Sequence, residues 1–199
     1  MFKMKIIKEQ LQKIKAFAKR HLSKNDDWHG LFHTEQTVKI SIFLAKKEKA
    51  DIQRCVIIAW LHDIMKRGES SKKDHGKEGA ETARTFLKKI GIDHKDIEII
   101  CDAIYNHNKG TDKKTKEAKI LYDADKLQAI GPYGLLRAYG DSISKKNNQV
   151  QAYKDYQNEQ KMYLNGLNTK TAKKIVKEKF NFMRKFHKHY EEVLNINKK

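Results

Sequence analysis

Asp51-Ile52-Gln53-Arg54-Cys55-Val56-Ile57-Ile58-Ala59-Trp60-Leu61-His62-Asp63-Ile64-Met65-Lys66-Arg67 is the stretch on which the reading of the chain turns. Asp51 can cap a helix, and the run from Cys55 to Leu61 is apolar on every face, which marks a central, buried helix. The helix ends in His62-Asp63-Ile64-Met65-Lys66-Arg67, with Gly68 as its stop. Asp63 then stands near the negative end of a buried helix dipole, where a carboxylate is disfavoured. Burying that charge unpaired costs on the order of several kcal/mol. A cation must compensate. Lys66 or Arg67 can do so as a structural ion pair; a metal ion can do so with neutral His62 as its second ligand. This stretch alone leaves both readings open.

Further helices follow on either side. An amphipathic helix over 2–22 carries Ile6, Ile7, Leu11, Ile14 and Ala18. The next, from Leu31 to Lys47, puts His33 on one stripe with Thr37, Ile40 and Leu44. His75-Gly76 opens a fourth helix that Gly91 closes, and a fifth from Asp93 lines up Ile100, Ile104 and His107. In a sixth, over 115–130, Asp123 and Asp125 flank the stripe of Ile120, Leu121, Ala124 and Leu127. Residues two apart on a helix point about 200° apart, so both carboxylates cannot easily meet one ion, and periodicity does not choose between them. Gly131-Pro132 starts a short segment over 132–140, and two Lys-rich helices span 149–165 and 169–194. In the last, Phe180, Phe182, Phe186 and Tyr190 read as a core-facing or interface stripe, and His187 and His189 as surface residues. The expected fold is an all-α, single-domain bundle of eight or nine helices with a metal site in its core. Residues 20–140 form that core, and 141–199 a helical extension packed on it.

The composition agrees. A single Pro and ten Gly in 199 residues argue against a sandwich, a barrel or a loop-rich secreted scaffold. No apolar run approaches the ~20 residues of a membrane span. The opening MFKMKIIKEQLQKIKAF has no apolar block ending in small residues, so the expectation is a cytoplasmic protein without a secretion signal. Cys55 and Cys101 read as small buried thiols. The net charge is +18, but only six of the 43 cations are Arg, the residue that nucleic-acid interfaces favour. A Lys-rich surface explains the charge better than a nucleic-acid partner does, and its field still draws in small phosphates. Phosphate-loop, dinucleotide-binding and nucleophilic-serine motifs are missing from the sequence.

Four motifs in order resemble the HD-domain metal-dependent phosphohydrolases: His29-Gly30-Leu31-Phe32-His33-Thr34-Glu35, Ala59-Trp60-Leu61-His62-Asp63-Ile64, His75-Gly76-Lys77-Glu78-Gly79-Ala80, and Lys119 to Leu127 through Asp123-Ala124-Asp125-Lys126. The likeness covers roughly 20–140. It implies His33, His62, Asp63 and Asp125 as metal ligands, with Asp123 supporting or packing behind them. In multi-metal relatives further histidines join the site; His75 and His107 hold comparable places, for a second ion, for phosphate or for protonating the leaving group. The chain departs from many relatives at Gln36, at Gln128 and at Gly131-Pro132-Tyr133-Gly134, positions associated with the substrate pocket.

Two imidazoles and two carboxylates suit Mn²⁺, Fe²⁺, Ni²⁺ or Mg²⁺, as one or two ions, with room for water and a phosphoryl oxygen. The implied activity is hydrolysis of a nucleotide or other small phosphate ester, by attack of metal-activated water on phosphorus. Asp63 and His107 would be catalytic, and Lys66, Arg67 and Lys126 would neutralise phosphate charge. The alternative is a basic helical module for RNA or protein with a structural or vestigial metal site.

Overall fold

The computed structural model describes residues 4–23, 30–66, 74–109, 113–144 and 148–195. The described residues form nine helices and no strand: α1 (Lys8–Leu22), α2 (Leu31–Glu48), α3 (Ile52–Leu61), α4 (His75–Lys89), α5 (His94–Asn106), α6 (Lys116–Ala129), α7 (Pro132–Ser144), α8 (Gln149–Gly166) and α9 (Lys170–Leu194). The all-α expectation holds. None of these helices is long and apolar enough to cross a membrane.

Three boundaries differ from the sequence reading by more than two residues. Helix α1 starts at Lys8, because the backbone before it serves another element. Met4 N–H donates to Asp51 Oδ2 at 2.6 Å and Ile6 N–H to Gln53 Oε1 at 2.9 Å, so residues 4–7 stay out of the helix and bond to the start of α3. Helix α7 continues to Ser144 instead of stopping near 140. Helix α3 stops at Leu61, and 62–65 form a turn closed by Lys66 N–H on Asp63 O at 3.0 Å.

The chain falls into two compact units, 1–125 and 126–199, with the boundary inside α6. In the first, α3 lies at the centre. Its N-cap Asp51 accepts from Arg54 N–H, and Ile57, Ile58 and Leu61 are sealed from solvent. Each such side chain stabilises the fold by roughly 1.5–3 kcal/mol relative to exposure. Helices α1, α2 and α5 pack on α3, and α4 packs on α5. Cys55 and Cys101 are free, buried thiols; burial pushes Cys101 up to about 11 and Cys55 further still, so neither is a nucleophile at neutral pH.

Small residues let α4 come close. A Cβ on Gly76 would lie 2.8 Å from Tyr105 O, and one on Gly79 would lie 3.5 Å from the Ile104 side chain. The first contact is with backbone, which cannot swing aside. Gly76→Val should therefore destabilise the protein by about 1–3 kcal/mol, the usual cost of overpacking. Urea unfolding of the variant checks this, and an unchanged midpoint would show that α4 and α5 can separate freely.

In the second unit α7 packs on α8. Helix α9 meets α8 through Tyr153 Oη, which donates to Glu191 Oε1 at 3.1 Å, and through Gln160 Nε2, 3.3 Å from His187 Nε2. His187 is thus half-buried against Tyr153 and Tyr156, not a surface residue as its sequence neighbours suggest. It continues the buried stripe of Ala172, Val176 and Met183, whereas Phe180 and Phe182 fall beside that stripe and are exposed. His189 is exposed, as expected. The end of α6 is closed by Gly131 at φ +93°, a left-handed turn that favours glycine. Lys179 Nζ donates to Leu127 O at 2.5 Å and to Ile130 O at 3.4 Å, and Tyr156 Oη donates to Gly131 O at 2.8 Å.

Candidate metal centre

The first unit gathers side chains from five elements around Asp63. His33 comes from the first turn of α2, where it is 1 % exposed. His62 and Asp63 stand in the turn after α3, His75 is the first residue of α4, His107 caps the end of α5, and Asp125 lies on α6. The Asp63 carboxylate divides its two oxygens. Oδ2 lies 3.3 Å from His62 Nε2 and 3.9 Å from His33 Nε2. Oδ1 lies 3.3 Å from His107 Nε2 and 3.9 Å from His75 Nε2. His33 Nε2 is also 3.3 Å from Asp125 Oδ1.

Two groups result. His33, His62 and Asp63 form one, and Asp63, His75 and His107 the other; within each, the nitrogen and oxygen atoms lie within 4.8 Å of one another. Asp125 stands against the first through His33. Asp123, the alternative on α6, is fully buried, and it is Asp125 that turns to His33.

The donor chemistry fits a divalent ion. His62 Nδ1 faces Ala59 O at 2.8 Å and His107 Nδ1 faces Ile104 O at 2.6 Å. A carbonyl only accepts, so each Nδ1 must carry a proton and each Nε2 presents its lone pair to Asp63. An acceptor nitrogen facing a carboxylate oxygen at 3.3 Å is unfavourable unless a proton or a metal ion lies between them. Burial opposes charge on His62, yet Asp63 and Asp125 hold its imidazole above the usual histidine range. Burial likewise works against the Asp63 carboxylate, but His62 and Lys66, with the His107 ring against its other oxygen, hold it well below the usual carboxylate range. Burial pushes His75 down to about 4, with Asp63 opposing, so it is a neutral donor at pH 7. A proton and a divalent ion compete for the same lone pairs.

The candidate cations are placed differently. Lys66 is half-buried and its charge acts on Asp63. Lys126 Nζ lies over the Tyr163 ring, 4.9 Å from its centroid. Arg67 lies outside the described residues. Sequence reasoning missed one cluster beside His75. Asp74 caps α4 by accepting from Lys77 N–H at 3.2 Å, and Lys109 Nζ meets Asp74 Oδ2 at 3.1 Å. An Asp directly before a helix-opening residue is a capping signal that could have pointed to Asp74; nothing in the sequence pointed to Lys109.

The chain is similar to several known proteins. YpgQ, an uncharacterized protein of Bacillus subtilis, is 24% identical over 193 residues, covering 92% of this chain and 93% of YpgQ. The crystal structure of YpgQ in complex with ADP superposes with a TM-score of 0.77 at 22% identity, covering 93% of this chain and 95% of that one. A predicted HD superfamily hydrolase from an uncultured Thermotogales bacterium is 27% identical, covers 93% of each chain and gives a TM-score of 0.71. An HD-superfamily hydrolase from Bacillus thuringiensis gives 0.75 at 20% identity, over 94% of this chain and 97% of that one. The sequence pattern of the HD domain matches residues 30–130. That span starts one residue before α2, ends one residue before Gly131 and holds every residue of both groups, and the chain belongs to the HD domain family.

Proposed function

We propose that this protein is a metal-dependent phosphohydrolase acting on a nucleotide or another small phosphate ester. The observation that carries the reading is Asp63, a buried carboxylate with imidazole nitrogens against each of its oxygens. His33, His62, Asp63 and Asp125 would hold one ion, and Asp63, His75 and His107 a second. A bound divalent ion supplies Lewis acidity toward a phosphoryl oxygen and lowers the pKa of water. The protein's own residues do the rest. Asp63 fixes the spacing of the two groups; His107 Nε2 would serve the second ion as a ligand or, where only the first ion is bound, carry the proton passed to the leaving oxygen. Lys66, Arg67 and Lys126 offset phosphate charge. The complex of YpgQ with ADP supports a nucleotide as substrate, and the +18 net charge favours encounter with polyanions.

A panel of nucleotides and generic phosphate esters, each with Mn²⁺, Fe²⁺, Ni²⁺ or Mg²⁺, tests the reading. Phosphate or pyrophosphate release is expected from at least one substrate, abolished by chelator and in Asp63→Ala. No turnover on any of them, together with salt-sensitive binding of random RNA, would instead favour a basic binding module.

A further inference from the structure

The half of the site that holds His75 is anchored differently from the other half. His33 in α2 and His62 in the turn after α3 are buried, at 1 % and 0 % exposure, whereas the His75 side chain is 20 % exposed and opens α4. What fixes the start of α4 is a set of contacts with the end of α5. Lys109 Nζ bonds Asp74 Oδ2 at 3.1 Å, and the same ammonium lies 3.2 Å from the centroid of the Tyr105 ring. Asp74 in turn accepts from Lys77 N–H as the helix cap. Asn108 Nδ2 lies 3.4 Å from His75 Nε2, and Gly76 is pressed to Tyr105 O, where a Cβ would lie only 2.8 Å away. One cation thus ties the residue before His75 to the segment that carries His107.

We infer that Lys109 is a positioning residue for the His75–His107 half of the site, acting through Asp74 on the distance from His75 to Asp63. This rests on the proposed assignment of a second ion to that half. Among the described residues Lys109 meets Asp74, Tyr105, Asn106 and Lys113, none of which belongs to the first group. Releasing it frees the first turn of α4 and leaves α2, α3 and α6 as they are. Groups that orient a metal ligand from behind typically carry a 10–100-fold effect on metal affinity.

The experiment is a Mn²⁺ titration by calorimetry, with histidine-ring NMR of the metal-free protein, on Lys109→Met, Lys109→Arg and Asp74→Asn. Asn caps a helix as well as Asp does, so Asp74→Asn removes the ion pair and keeps the cap. The wild type is expected to bind two ions. Lys109→Met and Asp74→Asn should weaken the second about 10-fold or more, leave the first within about twofold, and shift the His75 ring signals but not those of His33 or His62. Lys109→Arg should restore the second ion. Equal weakening of both ions, or wild-type behaviour in Lys109→Met, overturns the inference. A wild type that binds one ion overturns the two-ion assignment instead; the NMR arm then decides the role of Lys109, and an unmoved His75 ring in Lys109→Met refutes it.

Discussion

Asp63→Ala is expected to abolish divalent-metal binding, by more than the 100-fold that marks the upper end for groups behind the ligands. This carboxylate serves both groups, with His62 at 3.3 Å on one oxygen and His107 at 3.3 Å on the other. Removing it leaves the first group with two imidazoles and the distal Asp125, and the second with two imidazoles and no negative charge. A divalent ion brought into that buried setting would lack the charge needed to offset its desolvation. Elemental analysis of the purified variant and a metal titration read the outcome. Full metal content in Asp63→Ala would show that Asp63 pairs with Lys66 for structure and holds no ion. Asp63→Asn separates charge from shape: it keeps the side-chain volume and should bind metal nearly as poorly as the alanine variant.

His107→Gln is expected to lower kcat/KM by ~10²-fold or more, the low end for a lost acid–base group. His107 is 3 % exposed, its Nδ1 is tied to Ile104 O at 2.6 Å, and its Nε2 reaches Asp63 Oδ1. Glutamine retains polarity near the same volume but offers no imidazole nitrogen to Asp63, to an ion or to a substrate. The group of His33, His62 and Asp63 uses the other carboxylate oxygen, so the first ion should still bind. Steady-state kinetics paired with a metal titration test both halves of the expectation. Unchanged turnover with a lower Tm would assign His107 to packing alone.

Much of this arrangement is legible in the chain because helical period and burial coincide there. His33 falls on an apolar stripe with Thr37 and Leu44, and all three are buried. The run ahead of His62-Asp63 is apolar all round, and it forms the central helix. The choice between Asp123 and Asp125 could not be read from period, because both flank one stripe and only the tertiary fold decides which flank meets His33. The division of Asp63 between two groups is equally hidden: it depends on the approach of α4 to α5, a matter of Gly76 and the Tyr105 carbonyl at long range in sequence. His187 shows the opposite failure. Read beside its charged neighbours it looks solvated, yet its stripe on α9 carries it toward Tyr153 and Tyr156.

The clasp at the end of α6 bears on how far the polypeptide can be shortened. The last carbonyls of that helix are capped by an amine arriving from α9, about fifty positions later, whose pKa burial depresses. Asp125 sits on the same helix, one turn before Ala129. A fragment cut after the matched span would keep every candidate ligand and still lose the amine that finishes the helix bearing one of them. The completed end of α6 therefore depends on residues beyond the motif-bearing segment, and a boundary drawn by sequence likeness alone would leave that helix without its cap.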